Sequence, residues 1–218
     1  PIDLPMDLLF GKAPKMHRDT QRPGDAPWPS LDWSGLDLHD AAIVAHSMGT
    51  CETTRYLARH GSDRVSRVGF LAAMTPHLVG AVGPEHLEGW FGLLRADRPK
   101  WFHDAAPGYF ATGGTGSWVS QALVDDGIRQ ILDVPLAVQV ACVRAFATVD
   151  LSADLKGIDV PVLMLHGTAD ESAPYPITAV PTAELVRDGR LVTYDGAPHG
   201  LYVTHKDAVN AQMLAFLG

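Results

Sequence analysis

From Ala41 onward the chain alternates short, unbroken apolar runs with stretches in which apolar residues recur every three or four positions. Ala41-Ala42-Ile43-Val44-Ala45 predicts a fully buried strand, Arg67-Val68-Gly69-Phe70-Leu71-Ala72-Ala73 a second, residues 160–165 a third and Leu191-Val192-Thr193-Tyr194 a fourth. Residues 49–60 predict a helix with Cys51, Leu57 and Ala58 on its buried side and Gly61 as its stop. A short helix is expected over about 181–188. A last one, over about 206–217, sets Val209, Met213 and Phe216 at helical spacing. Continuous apolar strands separated by helices indicate an α/β protein, a mostly parallel sheet covered on both faces.

Between about residues 75 and 155 the pattern changes. Glycine, proline and aromatic residues crowd together, as in Gly89-Trp90-Phe91, Trp101-Phe102 and Pro107-Gly108-Tyr109-Phe110. Helical periodicity returns over about 118–148. The expectation is a helical cap inserted between two strands of one domain that spans 1–218. The first forty or so residues are dense in proline and charge, and only residues 6–10 offer a short strand. N-terminal strands are therefore expected to be abbreviated or missing.

Composition narrows the partners. A chain of 218 residues, 46% apolar and 19% charged, can bury one sizeable core and is too apolar to be disordered. A net charge of −8 and the lack of any long basic run argue against nucleic acid. Cys51 and Cys142 are expected as two buried, reduced thiols rather than a disulfide scaffold. The ten histidines form no close set with Cys, Asp or Glu at metal-ligand spacing, so no metal is expected. Neither a charged leader followed by an apolar core nor a span of roughly 20 apolar residues is present. That pattern leads to the expectation of a cytoplasmic protein with no membrane partner; a mature exported form and a homo-oligomer both stay open.

The chemistry starts at Val44-Ala45-His46-Ser47-Met48-Gly49-Thr50, where a strand runs through small-x-Ser-x-Gly into a helix. Small residues at 45 and 49 suit a tight turn that pushes a serine hydroxyl out at the top of a sheet. The following helix points its N-terminus at the same spot, where free N–H groups meet an oxyanion. Asp170 stands a few residues beyond the third strand, after His166-Gly167-Thr168-Ala169. His199, in Gly196-Ala197-Pro198-His199-Gly200, directly follows the fourth. Alone, the Asp reads as a turn residue and the His as structural. Together they supply nucleophile, acid and base, each in a loop directly after a sheet strand, the edge where such sheets place their sites. Asp150 and Asp154 are alternative acids in weaker context.

These segments resemble the cofactor-free haloperoxidase and arylesterase (perhydrolase) branch of the α/β-hydrolases. The likeness rests on the chain order Ser, Asp, His and on Arg55-Tyr56-Leu57-Ala58-Arg59-His60-Gly61. Gly196-Ala197-Pro198-His199-Gly200-Leu201 and Thr204-His205-Lys206-Asp207 extend it, so that it covers about residues 36–218. The resemblance implies that Ser47 attacks a small, fairly apolar ester or lactone, His199 takes its proton, and Asp170 steadies the imidazolium. No cofactor is implied. Hydrogen peroxide in place of water would give a peracid, which oxidises halide.

The same resemblance implies a His-Gly-aromatic turn before the elbow, half of the oxyanion hole, and residues 1–46 contain none. Residues 17–25 are at best an eroded echo of a further loop. The Met48 N–H supplies one donor; Phe10, in Phe10-Gly11, is the candidate for the other. A minimal form (natural or engineered), a truncated product and a sequence with internal segments missing stay open. His17-Arg18-Asp19 echoes a kinase triplet but lacks its companions. His46 is expected at the sheet edge, filling space or touching substrate. Trp90, Phe91, Trp101, Tyr109, Phe110 and Trp118 are expected mainly in packing, with Trp90 and Phe91 the candidates to line an acyl pocket. The alternative function is a catalytically silent hydrolase fold that binds a ligand or partner.

Overall fold

A computed structural model describes residues 38–112 and 119–218. The strand expected over 6–10, with Phe10, the loop echo at 17–25 and Trp118 all lie outside the described residues. Among the described residues, four strands, β1 (Ala41–His46), β2 (Val65–Leu71), β3 (Val162–Gly167) and β4 (Gly189–Tyr194), form a parallel sheet in the order β1-β2-β3-β4. Between β1 and β2 lies α1 (Met48–His60). Among the described residues, five helices separate β2 from β3: α2 (Leu78–Val82), α3 (Pro84–Phe110), α4 (Gln121–Asp133), α5 (Leu136–Thr148) and α6 (Ser152–Gly157). Then α7 (Ala179–Leu185) leads to β4, and α8 (Leu201–Thr204) and α9 (Lys206–Leu217) follow it.

Two-residue alternation along the strands divides the core. Val68 and Phe70 of β2 and Val162 and Met164 of β3 pack on one face with Leu57, Leu155, Ile158 and Val186. Leu71, Leu163 and Leu165 turn to the other face and meet Leu201, Val209 and Met213. Each such side chain contributes about 1.5–3 kcal/mol by burial. In register, His46 lies beside Leu71, Leu71 beside Leu165 and Gly167 beside Tyr194. All four carboxyl ends therefore share one edge of the sheet.

Several expectations change. Among the described residues β1 has β2 on one side only, so it is not fully buried, and Val44 is 42% exposed. Ala58 is exposed, because the stripe of α1 that meets the core runs through Thr50, Cys51, Thr53, Thr54 and Leu57. Cys51 is buried but Cys142 is exposed, and both are free thiols. The stretch rich in Gly, Pro and aromatic residues is helical as well. α3 breaks at Asp97 (φ −157°, ψ 86°) and restarts there: Asp97 Oδ1 accepts the Lys100 N–H at 3.0 Å, capping a second half whose first turn carries Pro99. No single helix among the described residues is long and apolar enough to cross a membrane.

The inserted helices have two apolar cores. Phe91 and Leu94 of α3 join Val143 and Phe146 of α5 against Cys51 and Met74 of the sheet layer. Ala106 and Phe110 of α3 join Val124 and Ile128 of α4, with Val203 of α8 packed alongside. The insertion is thus fastened to the sheet layer beside both Ser47 and His199.

Candidate active site

Ser47 is the single residue between β1 and α1. Its φ of 54° is left-handed, a strain of about 1–3 kcal/mol that the surroundings must hold. The Ser47 N–H donates to the Leu71 carbonyl at 2.9 Å. The Ser47 carbonyl accepts the Thr50 N–H at 3.0 Å and the Thr50 hydroxyl at 2.6 Å. Thr50 Oγ1 in turn accepts the Met74 N–H at 3.1 Å, tying the turn to the loop after β2. A Cβ on Gly49 would lie 3.6 Å from Ala45 Cβ, ordinary contact, so an alanine would fit there. Met48 opens α1, and its N–H belongs to the first turn, which has no acceptor within the helix.

The loops after β3 and β4 are joined to each other. Thr168 N–H donates to the Tyr194 carbonyl at 3.0 Å, Ala169 N–H to the Ala197 carbonyl at 3.1 Å, and Gly196 N–H to Thr168 Oγ1 at 2.8 Å. Gly167 is what permits this: a Cβ there would stand 2.0 Å from the Ala197 carbonyl oxygen. Gly200 is constrained similarly, since its N–H donates at 2.8 Å to the Tyr109 carbonyl and a Cβ would stand 2.7 Å from that oxygen. The loop that carries His199 is gripped by the Asp170 loop on one side and the end of α3 on the other.

This scaffold brings Ser47, His199 and Asp170 into one line. His199 Nδ1–H donates to Asp170 Oδ2 at 2.7 Å, and the Ser47 hydroxyl lies 2.9 Å from His199 Nε2. A carboxylate only accepts, so Nδ1 carries the proton and Nε2 is left to accept from the serine. Asp170 Oδ1 accepts the N–H groups of Ser172 at 2.9 Å and Ala173 at 2.7 Å. Burial opposes the Asp170 charge, but hydrogen bonds from His166 and His199, the His199 charge and the Ala173 N–H outweigh it. The carboxyl is held well below the usual carboxylate range. Asp170 and His199 are 4% and 2% exposed, so this polar pair sits in a dry setting.

Aromatic rings enclose the imidazole. Tyr109 of α3 meets it edge-on at 5.1 Å between centroids, and His46 lies 4.8 Å away with Tyr202 of α8 behind it at 4.7 Å. His46 Nε2–H donates to the His199 carbonyl at 3.3 Å. Burial, and then the neighbouring His199 charge, push its pKa down to about 3, so His46 stays neutral. The Tyr109 and Tyr202 hydroxyls stand 3.4 Å apart, and burial raises both above the ordinary tyrosine value. Phe91 has no exposed surface and packs in the insertion core, whereas Trp90 stacks on it at 5.7 Å and stays part-exposed.

A family model described as the alpha/beta hydrolase fold matches residues 34–206. The chain belongs to the α/β-hydrolase family. Within it, the chain is 35% identical over 189 residues to a non-heme chloroperoxidase of Streptomyces lividans, covering 84% of this chain and 68% of that protein. It is 31% identical over 189 residues to a bifunctional esterase/perhydrolase of Acinetobacter calcoaceticus, with the same coverage of 84% and 68%. Among solved structures, a bromoperoxidase from Bacillus anthracis superimposes with a TM-score of 0.79 at 28% identity, covering 84% of this chain and 69% of that one. These relatives place this α/β-hydrolase in the non-heme haloperoxidase and esterase/perhydrolase branch.

The alternative acids of this hydrolase are engaged elsewhere. Asp154 pairs with Arg55 at 2.9 Å between α6 and α1, and Asp150 Oδ1 accepts the Ser152 N–H at 2.8 Å. The sequence reading passed over His166 and Tyr202. His166 had a visible signal, an imidazole set in the apolar run of β3 just before Asp170. Tyr202 had none, since its approach to His46 depends on how α8 folds back.

Proposed function

We propose that this chain hydrolyses small, fairly apolar carboxylic esters or lactones through an acyl-enzyme on Ser47. The observation that carries the reading is the line from Ser47 Oγ to His199 Nε2 (2.9 Å) and from His199 Nδ1 to Asp170 Oδ2 (2.7 Å), set at the N-terminus of α1. As Ser47 Oγ bonds to the ester carbonyl carbon, its proton passes to His199 Nε2. Asp170, kept ionised by its donors, faces the resulting imidazolium. The carbonyl oxygen gains the negative charge and meets the Met48 N–H. The tetrahedral adduct collapses, the alkoxide leaves with the proton from His199, and water repeats the sequence to release the acid.

The activities named for the relatives, chloroperoxidase and esterase/perhydrolase, support a second outcome. Hydrogen peroxide attacks the acyl carbonyl in place of water, freeing Ser47 and releasing a peracid. The peracid then transfers oxygen to halide, giving hypohalite and the carboxylic acid. In this reading the inserted helices act as a cap, since Tyr109 of α3 touches the base.

The test is turnover of p-nitrophenyl acetate by the chain and by Ser47→Ala, with a fluorophosphonate probe reporting the nucleophile. Labelling of Ser47, and turnover lower by roughly 10⁴ or more in the variant, is the expected result. A folded chain that leaves the probe unreacted would overturn the reading in favour of a silent binding fold.

A further inference from the structure

Behind the acid stands an imidazole that the reaction above does not use. His166, near the end of β3, is 1% exposed. Its Nε2 lies 2.8 Å from the Ala173 carbonyl oxygen and 3.3 Å from Asp170 Oδ2. Both oxygens only accept, so Nε2 carries a proton; its N–H donates to the Ala173 carbonyl and also faces Asp170 Oδ2. The same Oδ2 receives the His199 Nδ1–H at 2.7 Å. Other groups facing this imidazole are Tyr175, edge-on at 5.9 Å, with His199 and His46 beyond Asp170. Its strand neighbours Leu163 and Leu165 are fully buried, and a buried histidine there carries a desolvation cost that a third leucine would not.

We propose that His166 is a positioning residue for the acid, on the reading of the site given above. Its N–H ties Asp170 Oδ2 to the backbone at Ala173, whose own N–H holds Oδ1. The carboxylate is thereby fixed about its terminal torsion, with Oδ2 aimed at His199. The same N–H also draws on the lone pairs of Oδ2 and so moderates the bond to His199. Without it, the carboxylate regains torsional freedom and Oδ2 becomes a stronger acceptor for the single donor left.

The test compares the chain with His166→Phe, which removes the N–H, and His166→Gln, whose amide can restore a donor near Nε2. The readouts are kcat and KM for p-nitrophenyl acetate, thermal unfolding, and the proton resonance of His199 Nδ1–H, which needs no turnover. In His166→Phe we expect that resonance to move downfield and kcat to fall about tenfold with KM little changed, both reversed in His166→Gln. A folded His166→Phe with resonance and kcat unaltered would make His166 a core residue and overturn the proposal. Should His166→Phe not fold, nitrogen shifts of the unmodified chain decide: His166 must show a protonated Nε2, and a bare Nε2 overturns the proposal. Absence of Ser47-dependent turnover would refute the esterase reading alone, because the resonance and the tautomer are read without it.

Discussion

His46 packs against His199 and donates to its carbonyl, yet takes no part in the proposed chemistry. Its consequence is a pH dependence. Its pKa is about 3 in the folded chain against 6.5 for an ordinary histidine, so below 6.5 the unfolded chain takes up a proton that the folded one refuses. Stability tied to His46 is therefore complete above that upper value and declines as pH falls towards the lower. Melting temperatures at pH 7 and pH 5 should differ less in His46→Gln, which keeps a donor, than in the unaltered chain. Asp170 responds to pH with the same sign in a lower window: its depressed value stabilises the fold above about 3.9, and that gain is lost only in stronger acid. For catalysis, Asp170→Asn is expected to retain the fold and lower kcat by about 10⁴, because the amide cannot hold the His199 tautomer. Rates at pH 7 with parallel circular dichroism would check this.

At the scale of elements, the strands were legible because both faces of β2 and β3 are covered, which leaves an unbroken apolar run in the sequence. Their ends were less so. β2 starts at Val65 and stops at Leu71, since Ala72 takes a left-handed φ of 48° that no composition signals. Over α3 the crowding of Gly, Pro and aromatic residues hides the helical spacing, and Pro99 is tolerated only because the break at Asp97 makes it a first-turn proline. The chemistry of the site was readable as three loop residues after three strands. What holds those loops was not readable, since the bonds join residues such as Ala169 and Ala197 through their backbones. Gly167 is the sharpest case, and Gly167→Ala tests it. Its Cβ would strike backbone rather than a flexible side chain, so it should destabilise by about 1–3 kcal/mol and cut kcat/KM at least tenfold. Urea titration and initial rates give both numbers.

For the whole molecule, the two thiols report on the same architecture from opposite sides. Cys51 lies beneath the junction of α1 with the insertion, where burial pushes its pKa up to about 12, while Cys142 is exposed on α5. A disulfide-exchange reagent should therefore react promptly with one thiol per native chain and with the second only on unfolding. Substituting Cys142 with serine should abolish the fast phase alone. The joined loops after β3 and β4 have a kinetic consequence as well. Asp170 and His199 are 29 residues apart in sequence, whereas His199 and Ser47 are 152 apart. Closing the shorter loop costs less chain entropy, by about 1.5 kcal/mol on polymer scaling, and the pair that forms is already hydrogen-bonded across adjacent strands. During refolding, acid and base can come together in a local unit while the nucleophile waits for the sheet to join across the insertion. Recovery of activity then marks the last long-range closure of the chain, later than the recovery of helix or of the β3–β4 contact.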